Sequence, residues 1–498
     1  MASAWSAGVN GTSVLPQVAQ TYPTRLPRWG WLVLVAVVAL VPFSLVQQPL
    51  PTVGGVIVVA ALIWLLKLER ALVLFIALAP FENYLTQYIS SFAIKGAGSL
   101  LFAAWLIRRS RDRPHRARQS AHWIVLGFLV LATAATAVHP NGTDGQQTLQ
   151  RYLSFAAFFV VALETMQKRP WLVRAMQSYV LACSIASAAG LATYFAGQSA
   201  RATGPITDPN DFAFFLVTAV PLAAGLFAVS RCRAWLLCAG LLVFGTLATA
   251  SRGGVVALGV VALWSLLSGA VRLRYAFLCA AGLAAALMGV VVMRPSVVQE
   301  TLHQKQYVAA HSTEDRLLRW SAALAMIGDH PMLGVGPAGF AQDYPEYLRA
   351  GYLHGYDADA VPRAVAHEMY LEVGSELGLP AMLLFIVLIV NAVAATGRAR
   401  RRTRRGSPTA IYGSAIQGGL LAAISGALFL TEQYFLPIWL LMAMAFALAA
   451  SRGRTPRERW VDLQTSKARA LDGRPLVAPA HPSVVSRLIE HPESRQAS

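Results

Sequence analysis

Gly334-Val335-Gly336-Pro337-Ala338-Gly339-Phe340 sits near the middle of residues 294–378, the one long polar interval in a chain otherwise made of apolar runs. Three glycines and a proline within seven residues dictate a tight return of the backbone. One helix-like segment opens before it at Glu314-Asp315-Arg316, and another follows at Ala366-His367-Glu368-Met369-Tyr370-Leu371-Glu372. The interval reads as a large loop outside the membrane; what flanks it reads as membrane.

Composition points the same way. Of 498 residues, 56% are hydrophobic and 13% charged, against roughly 25% charged in an ordinary soluble domain. Runs of the roughly 17–25 apolar residues that cross a bilayer as helix recur along the chain, without the alternation of a membrane β-barrel. The expected fold is all-α, a polytopic membrane helix bundle of about 12–14 spans with one large periplasmic helical loop. Candidate spans fall at 29–46, 52–67, 71–87, 91–108, 121–139, 150–166, 171–196, 211–230, 234–250, 254–270, 274–293, 377–396, 410–430 and 434–451. The first reads as an uncleaved span, since no small-residue cleavage site ends it. The chain then divides into a cytoplasmic N-terminal segment (1–28), N-terminal transmembrane helices (29–293), the periplasmic loop (294–376), C-terminal transmembrane helices (377–451) and a disordered, basic cytoplasmic tail (452–498).

The formal net charge is +18. In a soluble protein this would suggest nucleic acid. Here lysine and arginine crowd into short loops between spans, as topogenic charge does, and no nucleic-acid partner is expected. Arg108–Arg113, Lys168-Arg169, Arg231-Cys232-Arg233, Arg272-Leu273-Arg274 and Arg398–Arg405 all fall on one side if the spans simply alternate, which puts both termini in the cytoplasm. Cys183, Cys232, Cys238 and Cys279 have no metal-like spacing and read as packing residues without a disulfide.

The opposite side receives two lone arginines against that rule, Arg201 and Arg252. A cation there needs a reason: either it snorkels at the interface or it meets an anion. Arg201-Ala202-Thr203-Gly204-Pro205-Ile206-Thr207-Asp208-Pro209-Asn210-Asp211 is turn-rich, with Asn210 or Asp211 as the expected cap of the next helix. Ser251-Arg252-Gly253-Gly254 joins two spans with almost no loop, and its glycines allow close approach of a large ligand. In the long loop Arg316 and Trp320 share a helix face. Arg319 reads as a solvated charge, and Leu317, Leu324 and Ile327 as an apolar stripe that either lies against the membrane or the second loop helix or, on the blander reading, serves ordinary core packing. His367, Tyr370, Leu371 and Gly374 read as one helix face, and Glu368, Glu372 and Glu376 as a solvated one. An imidazole takes a proton from a hydroxyl near neutral pH, so His367 is the candidate base.

Taken in order, Arg201-x-x-Gly204…Asp208-Pro209-Asn210, Ser251-Arg252-Gly253, Arg316-x-x-x-Trp320…His330-Pro331-x-x-Gly334-x-Gly336…Phe340 and Ala366-His367-x-x-Tyr370-Leu371-Glu372…Glu376-x-Gly378 resemble the bacterial O-antigen ligase / O-antigen polymerase superfamily, over about residues 150–450. The resemblance implies an inverting, metal-independent glycosyltransferase of the bacterial inner membrane, active on the periplasmic face and needing no cofactor. The donor would be an undecaprenyl-pyrophosphate-linked glycan. The acceptor would be lipid A-core in a ligase or another lipid-linked glycan in a polymerase. His367 matches the family's loop histidine, the catalytic base. Arg252 and Arg316 match arginines that contact the donor pyrophosphate, and Arg201 a further recurrent arginine; Asp208, Asn210 and Tyr370 join them as substrate-binding candidates. Two departures stand out: Glu368, where the family often has asparagine, and the long basic tail. A transporter of lipid-linked sugars is the rival from another class, but the spans carry few of the midplane ionisable groups such proteins use.

Overall fold

A computed structural model describes residues 67–88, 120–269, 315–348 and 365–451, with isolated positions at 98–108 and residue 288. The expected spans at 29–46, 52–67 and 274–293, most of 91–108, and the tail beyond 451 lie outside the described residues. Everything regular among the described residues is helical, so the all-α membrane bundle holds.

The helices are α1 (Leu68–Leu78), α2 (Glu82–Tyr88), α3 (Ser120–Val138), α4 (Gly142–Met166), α5 (Arg169–Phe195), α6 (Pro209–Ser230), α7 (Ala234–Ala248), α8 (Arg252–Leu267), α9 (315–329), α10 (Gly339–Tyr347), α11 (Met369–Arg401), α12 (Pro408–Gly426) and α13 (Leu436–Ala450). Among them α3, α5, α6 and α11 are long and apolar enough to cross a membrane; α7, α8 and α13 are shorter apolar helices. The expected span 71–87 is instead broken into α1, a 3-10 turn Ala79–Phe81 and α2. Pro80, near the start of that turn, lacks the N–H that a continuous helix would need.

α13 is the centre of the bundle: Leu436 to Leu448 are buried on every side, the mark of a helix enclosed by other helices rather than lipid. Trp439 lies against Phe155, Phe159 and Phe385, and its indole N–H donates to the carbonyl of Gln433 at 2.9 Å. Around it α4, α11 and α12 make direct contact, with α6 against α12 and α7, and α3 against α11. Small residues bring helices close: a Cβ on Gly225 of α6 would stand 2.6 Å from that of Ala415 on α12.

One joint positions everything that follows. α11 is broken at Gly378, which takes φ 82°, ψ 168°. Pro380 has no N–H to offer the carbonyl of Glu376. The Leu379 N–H, which would have reached Ser375, donates instead to the Pro331 carbonyl at 2.8 Å. The two released carbonyls are then satisfied from outside, Ser375 by the Val335 N–H (2.8 Å) and Glu376 by the Gly336 N–H (2.9 Å). The Gly/Pro-rich turn is thereby built into the kink. Asn141, between α3 and α4, holds its far side by donating to the carbonyls of Val335 (2.9 Å) and Pro337 (3.1 Å).

Candidate functional site

The loops α5–α6, α7–α8 and α12–α13, the start of α9 and the segment leading into α11 meet at one end of the bundle. Arg201 is anchored across two of them: its Nε donates to the Thr249 carbonyl at 2.7 Å and its Nη2 to Asn210 Oδ1 at 3.1 Å. The neighbouring Ala202 N–H donates to the Ala248 carbonyl at 3.0 Å. Two residues past Thr249, Ser251 caps α8, and Arg252 is the first residue of that helix, with its side chain exposed. The cap of α6 is Asp208, which accepts from the backbone N–H groups of Asn210 and Asp211 with Pro209 in the first turn. The expectation of Asn210 or Asp211 in that place is corrected: proline is suited to the first helical position, so the residue before it caps. Asn210 is left to orient Arg201.

Arg316 is half-buried and feels the positive charges of both Arg252 and Arg319, with Asp315 and Asp208 partly opposing them. Burial first, then those two guanidiniums, make its own charge harder to hold. Arginine nonetheless stays ionised. Like charges drawn together from separate segments repel one another, and an anion between them would offset that repulsion.

Arg319 corrects the expectation of a solvated charge. Its side chain is only 13% exposed and pairs with Asp315 at 2.7 Å. Its Nη1 donates to the Val365 carbonyl at 2.9 Å, and its guanidinium lies 5.9 Å from the ring centre of Tyr344. A guanidinium so held is a strut between α9, α10 and the segment that carries His367.

His367 does not share a helix face with Tyr370, Leu371 and Gly374, as the spacing suggested; it precedes the first turn of α11 and takes φ 52°. Histidine is among the few side chains enriched in that left-handed region. The conformation is clamped from both sides. The Ala366 N–H donates to Glu372 Oε2 at 2.9 Å, Arg319 holds Val365, and Met369 N–H donates to the Ala427 carbonyl at 3.0 Å. The imidazole is half-buried. Burial, then Arg319 and Arg316, hold it below the usual histidine range, against the weaker pull of Asp208 and Asp315. It is therefore neutral near pH 7, the form that accepts a proton.

The three glutamates read as a solvated face are all buried. Glu368 caps α11 by accepting the Leu371 N–H, and burial lifts its carboxyl to about 7. That is work an asparagine also does, which explains why glutamate is tolerated there. Glu372 accepts from Ala366, from Thr431 Oγ1 at 2.6 Å and from Gln433 Nε2 at 3.1 Å. Glu376 accepts from the Tyr434 hydroxyl at 3.0 Å. Sequence spacing placed these side chains on a common side of the helix, but the medium on that side is protein. The Tyr370 hydroxyl faces the Ile424 carbonyl at 3.5 Å.

Thr431, Gln433 and Asn141 had no role assigned from sequence, and Glu372 and Arg319 only that of solvated charges. The one available signal was the polar Thr431-Glu432-Gln433 interrupting an apolar stretch. Glu432 is fully buried, and neither of its carboxylate oxygens has a hydrogen-bond partner among the described residues. Burial, with Asp211 and Asp208 nearby, drives its pKa up, so the neutral acid is favoured. Removing the Glu372 carboxylate leaves three donors without their acceptor, at about 1–3 kcal/mol each. Glu372→Ala is expected to lower the thermal midpoint in detergent and to lose activity with it.

No curated protein matches this chain. Residues 237–386 match the sequence model of the family described as O-antigen ligase. The matched stretch runs from within α7 to within α11 and contains Arg252, Arg316 and His367 but not Arg201, Asp208 or Asn210. Through this segment, which is less than half of its length, the chain is similar to the O-antigen ligase family.

Proposed function

We propose that the protein is an integral-membrane glycosyltransferase of the O-antigen ligase type. It moves a glycan from an undecaprenyl-pyrophosphate donor to an acceptor hydroxyl, with inversion and without a metal. The observation that carries this reading is Arg316, within electrostatic reach both of Arg252, from a segment far away in the chain, and of a half-buried neutral His367. His367 takes the proton of the acceptor hydroxyl as that oxygen attacks the sugar's anomeric carbon. The bond to the pyrophosphate breaks on the opposite face, and the electron pair leaves with the phosphate oxygen. The arginines stabilise that growing negative charge, each charge-assisted hydrogen bond contributing roughly 1.5–3 kcal/mol. The start of α8 adds backbone N–H groups of the same sign.

Sidedness follows from charge. Lys168, Arg169, Arg231, Arg233 and Arg398–Arg405 lie at the helix ends opposite the site, the end that faces the cytoplasm by the positive-inside rule. The site then opens on the periplasmic face of the bacterial inner membrane. Purified protein in nanodiscs, given an undecaprenyl-pyrophosphate glycan and candidate acceptors, tests the whole reading. Product on lipid A-core names a ligase, and product on a second lipid-linked glycan a polymerase. Movement of labelled lipid across vesicles without product overturns the enzyme in favour of a transporter.

The pH profile carries a further expectation. Arg316 helps keep His367 below its ordinary range. Replacing that positive charge makes the imidazolium less unfavourable, so the histidine pKa rises. In Arg316→Gln the acid limb of kcat/KM is expected to move to higher pH, whatever happens to its height. A limb that stays put or moves down contradicts the assignment of His367 as the titrating base.

A further inference from the structure

The helix α9 is amphipathic in the wrong sense for water. Its charged residues lie inward, on its flanks or at its end: Asp315 pairs with Arg319, Arg316 is half-buried, and the exposed Asp329 at the last position accepts from the Tyr347 hydroxyl at 3.0 Å. Ala322, Ala323 and Met326 form the buried side, closing on Val335, Phe340 and Tyr344. The side left open holds Leu317 and Leu324, seven residues apart and 57% and 58% exposed, with Ser321 and Gly328 between and beyond them. A helix facing water carries its charges outward; this one presents an uncharged face. The expectation that Leu317 and Leu324 serve core packing is therefore corrected, while Ile327 alone packs inward, against Gly374.

The exposed face does not end with the helix. Met332 follows it, 68% exposed. Its carbonyl abuts Gly378 at the α11 kink, where Leu379 also bonds to Pro331. From that joint the exposed side chains of Leu379, Leu383 and Val390 run along one side of α11, a helix long and apolar enough to span. The segment that follows the apolar face of α9 thus adjoins, at Met332, the exposed apolar side of a helix long and apolar enough to span.

We propose that α9 lies on the membrane, with Leu317, Leu324 and Met332 sunk among the acyl chains of the adjoining leaflet. An apolar helix face of this kind penetrates about 5–10 Å into the headgroup–acyl boundary. Arg316, on the flank of that face, is then held at phosphate depth. Docking of α9 stands whether or not the proposed chemistry is right; only the matching of Arg316 to a donor's phosphate rests on that reading.

The test is collision accessibility of a nitroxide on the full-length protein in phosphatidylethanolamine–phosphatidylglycerol vesicles. Labels replace Leu317 and Leu324, with Leu383→Cys as the lipid reference and Asp329→Cys as the water reference. The protein bearing only its own cysteines supplies the background. Labels at positions 317 and 324 are expected to shift to oxygen-dominated collision, like the label at position 383. Collision dominated by a water-soluble nickel chelate, as at position 329, overturns the proposal. So does shielding from both agents, which means that a second copy or another part of the chain covers the face. If those variants do not fold, a label at Met332, outside the helix, gives the same discrimination.

Discussion

His367→Asn loses glycan transfer by about 10²–10⁴-fold, the usual contribution of a positioned base, while its thermal midpoint stays near that of the parent. Asparagine is the cleaner substitution because the backbone at this position has φ 52°, a conformation that asparagine tolerates and alanine resists by roughly 1–2 kcal/mol. His367→Ala is expected to lose transfer equally and to insert into the membrane, but with a modest loss of stability. The pair separates chemistry from scaffolding. A base role predicts equal loss of transfer from both. A role in backbone shape alone predicts that the asparagine variant keeps activity. Transfer at parental rate by His367→Asn removes the base from the mechanism. The measurement is product formation per mole of folded protein, beside an unfolding curve for each variant.

Gly378→Ala is expected to be the most destabilising single methyl in the molecule's loop–span joint. At φ 82°, an L side chain is strained, and its Cβ would stand 2.3 Å from the Met332 oxygen and 2.4 Å from the Met332 carbonyl carbon. Strain and overpacking together amount to roughly 2–6 kcal/mol. The damage should not stay local. The Val335 and Gly336 N–H groups bond to carbonyls that this kink exposes, so pushing residues 331–333 away from α11 releases the whole turn. Gly397→Ala on the same helix is the control, since nothing lies within 4 Å of a Cβ there. Its midpoint should be unchanged or slightly higher. Equal behaviour of the two variants would show that the turn does not depend on the kink.

Much of the architecture was readable before any coordinates. The apolar runs at 171–196 and 211–230 begin within two residues of α5 and α6, because burial in lipid demands long uninterrupted apolar helices. The proline and glycines of 334–339 marked a turn, and they form one. Other features were misread for a common reason. Helical period says which side chains share a face, not what that face meets. Glu368, Glu372 and Glu376 looked solvated and are buried; Leu317 and Leu324 looked buried and are exposed. Arg319 looked like a surface charge and is a strut. The cap of α6 shifted to Asp208 because Pro209 fixed the first helical position.

The sequence by itself determined that this is a helical membrane protein with a long polar interval, and it named arginines on the side where topogenic charge is scarce. Those properties depend on composition and period, which any stretch of chain carries locally. Only the tertiary structure decided that Arg252 acts on Arg316 and Arg316 on His367, and that buried Glu372 fixes the backbone beside that histidine. The relations among the cations and His367 join residues separated by more than 50 positions, and no local periodicity encodes the distance between the ends of two different helices.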